Sequence, residues 1–280
     1  MKFPIALVCL LSCTLASPAF TVTDAQCNEI LDKALDSRNP DTRKLAVVAY
    51  SLAAQREPML TRLEGMMQDK DVEVRLAVVA SLAEQKNRRS IEALRRALHD
   101  ATPEVSFAAA KALYAEHDPA GKEALMAVLE GESKTSSGFF TKQMRDALRM
   151  MHTPRTTFLY AIRQGVGFAP VPGLGEGVAS MQALLTDPGV SGRATAALLL
   201  GKDADKATVD GLKDALYDKD WGVRAAAVHA LALRNDPSIL KDVEPLLQDD
   251  KEAVRLRAAA ACLRLSALQH RAKPAGAPAK

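Results

Sequence analysis

Leu45-Ala46-Val47-Val48-Ala49 returns, at a period of 31, as Leu76-Ala77-Val78-Val79-Ala80, and again in thinner form as Phe107-Ala108-Ala109-Ala110. After a gap, the same spacing resumes with Arg193, Arg224 and Arg255. Self-similarity at one fixed period of about 20 to 50 residues marks a stacked-repeat architecture, in which no single unit can bury its own apolar face.

Each unit resolves into two helices. The first carries apolar residues at i, i+3 and i+7, as in Leu60/Leu63/Met67, Ile91/Leu94/Leu98, Val178/Met181/Leu185, Val209/Leu212/Leu216 and Leu240/Val243/Leu247. That spacing puts one stripe along an α-helix. Leu125 and Leu129 keep the phase for a fourth unit, and the opening helix around Ile30, Leu31, Ala34 and Leu35 sits one position out of register. The second helix is rich in alanine, which has the best helix propensity and lets neighbouring helices approach closely. The 4% aromatic content fits such closely spaced helices better than a β-sandwich.

The turn between the two helices repeats as well. Asp69, Asp100, Asp187, Asp218 and Asp249 stand six positions before Arg75, Ser106, Arg193, Arg224 and Arg255. An Asp in such a turn can cap free backbone N–H groups, and an Arg in the next helical turn can reach that Asp or its equivalent one repeat on. Recurrence at one repeat position favours a structural ladder over an acid–base site.

The helix–turn–helix unit, the Asp-x5-Arg turn and second helices such as Asp71…Val74-Arg75…Leu82 and Asp220…Val223-Arg224…Leu231 resemble HEAT repeats, in particular the short bacterial HEAT-like class also found in phycobilisome lyases. The resemblance spans roughly residues 23–267 outside one interruption. It implies an all-α fold, a right-handed α-solenoid of about seven antiparallel helix pairs with one insertion. For function it implies a scaffold or adaptor, with a lyase-type enzyme acting on an envelope substrate or chromophore as the alternative.

Phase counting locates the insertion. The step from Leu129 to Leu185 is one period plus 25, and the step from Ser106 to Arg193 is two periods plus 25. The expected organisation is therefore repeats one to four over 20–151, an added helix with a Gly/Pro loop over 152–177, and repeats five to seven over 178–267. Five of the twelve aromatics fall between 139 and 168, and five of the fifteen glycines between 165 and 177. Aromatic and Arg side chains carry most interface energy, and loops inserted into solenoids tend to line a binding face. Phe158, Tyr160, Arg163, Phe168, Pro170 and Pro172 are thus the candidate contact residues for a protein or peptide partner. The competing reading has the segment plug a break in the stack. The glycine run lacks the Lys-Ser/Thr of a phosphate loop.

Lys2, the apolar stretch 3–15 and the small residues Ser17 and Ala19 read as a secretory signal over residues 1–19. The chain is accordingly expected to be secreted or periplasmic. Lipid anchoring through Leu10-Leu11-Ser12-Cys13 is the lesser option, and the apolar stretch is too short to span a bilayer. Loss of the leader leaves Cys27 and Cys262, one near each end. Seven repeats stacked in chain order would hold these tens of ångströms apart, beyond the reach of a disulfide. The net charge of +3 leaves no basic stripe for nucleic acid. The five histidines are scattered, with no HExxH, Cys/His or Ser/His/Asp set, so neither a metal, a cofactor nor a catalytic residue is expected, and the chain reads as no enzyme. His229 reads as a packed or groove-lining side chain rather than a catalyst. The Pro/Ala/Lys tail over 268–280 is too poor in apolar residues to pack.

Overall fold

A computed structural model describes residues 23–53, 57–130 and 192–272, and every regular element among them is helical. The first repeat pairs α1 (Asp24–Leu35) with α2 (Pro40–Ala53). The second pairs α3 (Glu57–Gly65), extended by a 3-10 turn at Met66–Gln68, with α4 (Val72–Gln85). The third pairs α5 (Arg88–Ala97) with α6 (Pro103–Ala115), and α7 (Pro119–Glu130) opens a fourth. In the C-terminal half, α8 (Gly192–Leu199) is a second helix. It is followed by the pair α9 (Lys206–Asp214) and α10 (Trp221–Leu233). The last repeat sets α11 (Leu240–Val243), flanked by 3-10 turns, against α12 (Glu252–Ala272).

The stripes read from the sequence form the interior. Leu63, Leu94, Leu98, Leu216 and Val243 are sealed from solvent, and Leu60, Leu212 and Leu247 nearly so. On the second helices, Val74/Val78/Leu82 and Val223/Ala227/Leu231 form the opposing i, i+4, i+8 stripe. Small residues set the spacing. A Cβ on Gly121 would lie 2.3 Å from the backbone nitrogen of Tyr114, so α7 crosses α6 at a distance only glycine permits.

Helix boundaries have local causes. Asp71 accepts from the N–H groups of Glu73 and Val74 to start α4, and Asp220 accepts from Gly222 to start α10. Thr23 with Gln26 and Asn87 with Ser90 form capping boxes on α1 and α5. The helices α4, α6 and α10 end where Lys86, His117 and Asn235 turn to φ of 47°, 57° and 58°. Lys86 and His117 are one repeat period apart.

The order of stacking differs from the order of the chain. The second helices lie side by side as α8, α10, α12, α2, α4, α6. The last repeat packs against the first, with α12 against both α1 and α2. Thr42 donates to Glu252 at 2.9 Å, Arg264 donates to the Leu52 carbonyl at 2.8 Å, and Ser266 donates to Asp24 at 2.6 Å. The two chain halves therefore share one core, and among the described residues α6–α7 and α8 lie at the two ends of the row.

Two expectations change here. Cys27 and Cys262 are not far apart: both are buried at the α1–α12 contact, where their side chains interact. The assumption that failed was stacking in chain order. The last helix also runs to Ala272, beyond residue 267, because no breaker intervenes before Pro274 and Leu265 still packs in the core.

Candidate interaction surface

The Asp–Arg ladder joins neighbouring repeats. Asp69 and Asp100 accept from the N–H groups of Asp71 and Thr102, and Asp218 and Asp249 from those of Asp220 and Lys251. That bond tightens the turn, whereas the helix cap proper falls two positions later, on Asp71 and Asp220. Arg75, Arg224 and Arg255 donate to the carbonyls of Asp69, Asp218 and Asp249, at 2.8, 2.8 and 2.7 Å.

The guanidinium then reaches forward to the Asp of the next repeat. Arg75 grips Asp100 through two nitrogens at 2.9 and 3.1 Å, and Arg224 grips Asp249 at 2.7 and 2.8 Å. Arg193 grips Asp218 in the same two-pronged way. A planar guanidinium facing a carboxylate fixes direction as well as distance. The carboxyl of Asp218, beside Arg193, is held below the usual carboxylate range. Asp187 lies outside the described residues.

One rung escaped the sequence reading. Arg43 grips Asp69 at 2.7 and 2.8 Å and donates to the Ser37 carbonyl. Both partners of the ion pair are only 7% exposed. The step from Arg43 to Arg75 is one position longer than the step between the two LAVVA words, so that word is out of phase with the structural repeat. The signal was present in the opening helix, where Leu31 and Leu63 are separated by the same longer step and both are fully buried. Ser106 stands at the arginine position of the third repeat, and a pair of a different kind, Arg95 on α5 with Asp118 just before α7, forms there at 2.6 Å.

Beside the ladder, between the second and third repeats, lies a cleft of about 450 Å³ whose lining includes Glu64, Met67, Arg75, Arg96, His99 and Asp100. Glu64 receives Arg89 at 2.9 Å and Arg96 at 3.6 Å, so the cleft wall is charged but paired. His229 is packed inside α10, at 1% exposure. Arg257, on α12, stands where Ala226 stands one period earlier and is 3% exposed. Burial pushes its guanidinium down to about 10 against the pull of Glu84. Its Nε and Nη1 have no hydrogen-bond partner among the described residues.

Among the described residues, large apolar side chains reach solvent at Tyr114 on α6, Met126 on α7, Leu199 and Leu200 at the end of α8, and Tyr217 and Trp221 at the turn into α10. Tyr217, 73% exposed, and Trp221, 36% exposed, flank the Asp218–Asp220 turn of the ladder. The sequence reading passed over this pair because it weighed aromatics only where they clustered. The candidate contact residues Phe158, Tyr160, Arg163, Phe168, Pro170 and Pro172 lie outside the described residues. Among the described residues, no three His, Cys, Asp or Glu side chains come together as a metal site. No helix among them is long and apolar enough to cross a membrane.

A family model of HEAT repeats matches residues 59–135 and 179–264, more than half of the chain. The chain is a HEAT-repeat protein. Its all-helical solenoid is the fold that the HEAT resemblance implied. No curated protein matches it in sequence. Among solved structures it is similar to human deoxyhypusine hydroxylase in complex with glycerol, at 18% identity and a TM-score of 0.34, covering 87% of this chain and 97% of that one. It is also similar to an engineered protein, at 17% identity and a TM-score of 0.27 over the same shares.

The hydroxylase corrects one expectation. The chain was read as no enzyme because no catalytic set could be nominated, yet one of the structures it is similar to is an enzyme. The lack of a nominated catalytic set does not exclude catalysis, since chemistry resides in side chains grafted onto a fold. The likeness itself assigns this HEAT-repeat chain no reaction.

Proposed function

We propose that this HEAT-repeat protein is exported, secreted or periplasmic, and acts as a protein–protein interaction scaffold or adaptor. The carrying observation is the exposed Tyr217–Trp221 pair beside a rigid ladder of ion pairs. Tyr and Trp dominate the energetics of protein interfaces, and a pre-ordered array loses little entropy when it docks a partner. HEAT repeats commonly serve this purpose. Phe158, Tyr160, Arg163, Phe168, Pro170 and Pro172, which lie outside the described residues, are further proposed contacts on the strength of their residue types alone.

The test compares wild type with two variants, Phe158/Tyr160/Phe168→Ala and Tyr217/Trp221→Ala. The expected outcome is a partner cross-linked to wild type in cell-envelope extracts, lost from at least one variant while helical circular dichroism is unchanged. Equal cross-linking by all three proteins would overturn the proposed surface. Absence of any saturable partner would overturn the scaffold reading. For export, the N-terminal mass of the mature chain should correspond to cleavage after Ala19. A lipid-modified Cys13 would replace that form with an anchored one.

A further inference from the structure

We propose that Cys27 and Cys262 are a disulfide-forming pair that staples the last repeat of the stack to the first. Cys27 sits on α1 and Cys262 on α12, at 1% and 4% exposure, inside one apolar cluster. The two helices that carry them pack directly against each other, and the two side chains perturb one another's ionisation. One helical turn along the same contact, Ser266 donates to Asp24 at 2.6 Å, so the two helices are held in register beside the sulfur pair. Cys262 occupies the interior position that Leu231 fills one period earlier, and both of these side chains are buried. A repeat core asks only for an apolar residue there, so two cysteines meeting at the one seam between chain ends exceed what packing requires.

The chemistry is thiol–disulfide exchange with a low-molecular-weight disulfide as oxidant. When α12 lifts from α1, the thiolate of one cysteine attacks the oxidant. A protein–glutathione disulfide forms and one glutathione thiolate leaves. On re-docking, the second cysteine's thiolate attacks the protein sulfur of that mixed disulfide and releases the second glutathione. Two protein thiols are oxidised, one glutathione disulfide is reduced, and the two protons end on the two glutathione thiols. In the docked state the pair is buried out of reach of a dissolved oxidant. Exchange is therefore gated by opening of the junction. Once formed, the bond ties Cys27 to Cys262 and constrains nearly the whole unfolded chain, where chain-entropy arguments give the largest stabilisation.

The experiment uses the full chain with Cys9→Ser and Cys13→Ser, so that only these two thiols remain. After equilibration with oxidised glutathione, the protein is denatured in N-ethylmaleimide and mapped by tandem mass spectrometry. The expected product has lost two hydrogens, carries no maleimide, and gives one cross-linked peptide pair containing Cys27 and Cys262. Its melting temperature should exceed that of the dithiothreitol-treated protein by roughly 10 °C. In a further Cys27→Ser variant, Cys262 should carry glutathione or maleimide, and oxidation should no longer raise the melting temperature. Maleimide on both cysteines of the parent protein, or a separate glutathione on each, would overturn the proposal. The assay needs neither a binding partner nor an export pathway, so its failure would leave the scaffold reading standing.

Discussion

Two seams in this molecule do the same job by different means. At the seam between α2 and α4, Arg43 grips Asp69, Ser81 reaches the Val47 carbonyl and Gln85 reaches the Ser51 carbonyl. At the seam between α12 and α2, Arg255 still donates to the Asp249 carbonyl, but the position one repeat on is Ser37 rather than Asp. Ser37 is the equivalent residue because its carbonyl receives Arg43 and its hydroxyl receives the Asn39 N–H, as Asp69 does for Arg75 and Asp71. The periodic rung thus operates at the seams headed by Arg43, Arg75, Arg193 and Arg224, lapses at Ser106, and is missing again where the chain ends meet. There the junction relies on single contacts: Thr42 to Glu252, Arg264 to Leu52, Ser266 to Asp24 and the cysteine pair.

The largest test removes one partner of a buried rung. Asp69→Ala should cost about 3 kcal/mol in urea unfolding, because it strands the Arg43 guanidinium without a counter-charge in a closed seam. Asp218→Ala should cost much less, since Arg193 is 60% exposed and water replaces the lost carboxylate. Equal losses would mean that the rungs do not differ in burial as the structure has it.

Acid should separate the two kinds of seam. Arg43 holds the Asp69 carboxyl below the usual carboxylate range, and Arg95 and Arg193 do the same for Asp118 and Asp218. A carboxyl depressed in the folded state gives stability that is complete above its unfolded value, about 3.9 for Asp, and is lost as pH falls through the folded value. Stability should therefore fall steeply below about pH 4. Asp69→Asn should be less stable at neutral pH yet show a shallower decline in acid. A parallel decline in both proteins would place the acid-sensitive groups elsewhere.

The missing rung can be supplied. Ser37→Asp should offer Arg255 the carboxylate that Arg75 and Arg224 already have, raising stability by about 1 kcal/mol. In an Arg255→Ala background the gain should vanish. A gain that survives there would show that Ser37 is not the structural equivalent of the ladder aspartates. Ser266→Ala is the converse probe. It removes one hydrogen bond at the junction and should cost a similar amount, about 1 kcal/mol.

The fixed-period echo made the helix pairs, the interior stripes and the rungs of Arg75, Arg193 and Arg224 legible, because each follows from local spacing that recurs. What it could not carry was the order of stacking. Periodicity specifies which faces are sticky and is silent on which repeat lies against which when both ends of the chain carry compatible edges. The cysteines were misplaced for that reason alone. A local hint existed in the last repeat. Lys86-Asn87, His117-Asp118-Pro119 and Asn235-Asp236-Pro237 stop their helices, whereas the equivalent Ser266-Ala267-Leu268 contains no stop, and α12 continues to meet α1. Of the proposed surface, the part from Phe158 to Pro172 rests on composition alone, while Tyr217 and Trp221 needed the fold to show that a half-apolar turn stays in solvent.

Those stops provide the finest comparison between ordinary repeats and the last one. Lys86 adopts a left-handed conformation that side chains disfavour and glycine does not. Lys86→Gly should therefore raise stability by roughly 0.5 kcal/mol, less whatever its ion pair with Glu116 at 3.6 Å contributes. Ser266→Gly, at the equivalent position in α12, should do the opposite. There the residue is mid-helix, so glycine loses roughly 1 kcal/mol of helix propensity in addition to the bond to Asp24. Opposite signs for one substitution at two equivalent positions, read as shifts of the urea midpoint, would show that the last repeat departs from its siblings through its helix end. The same sign at both would mean that α12 stops near Ser266 in solution, and that the junction with α1 is looser than the hydrogen bonds across it imply.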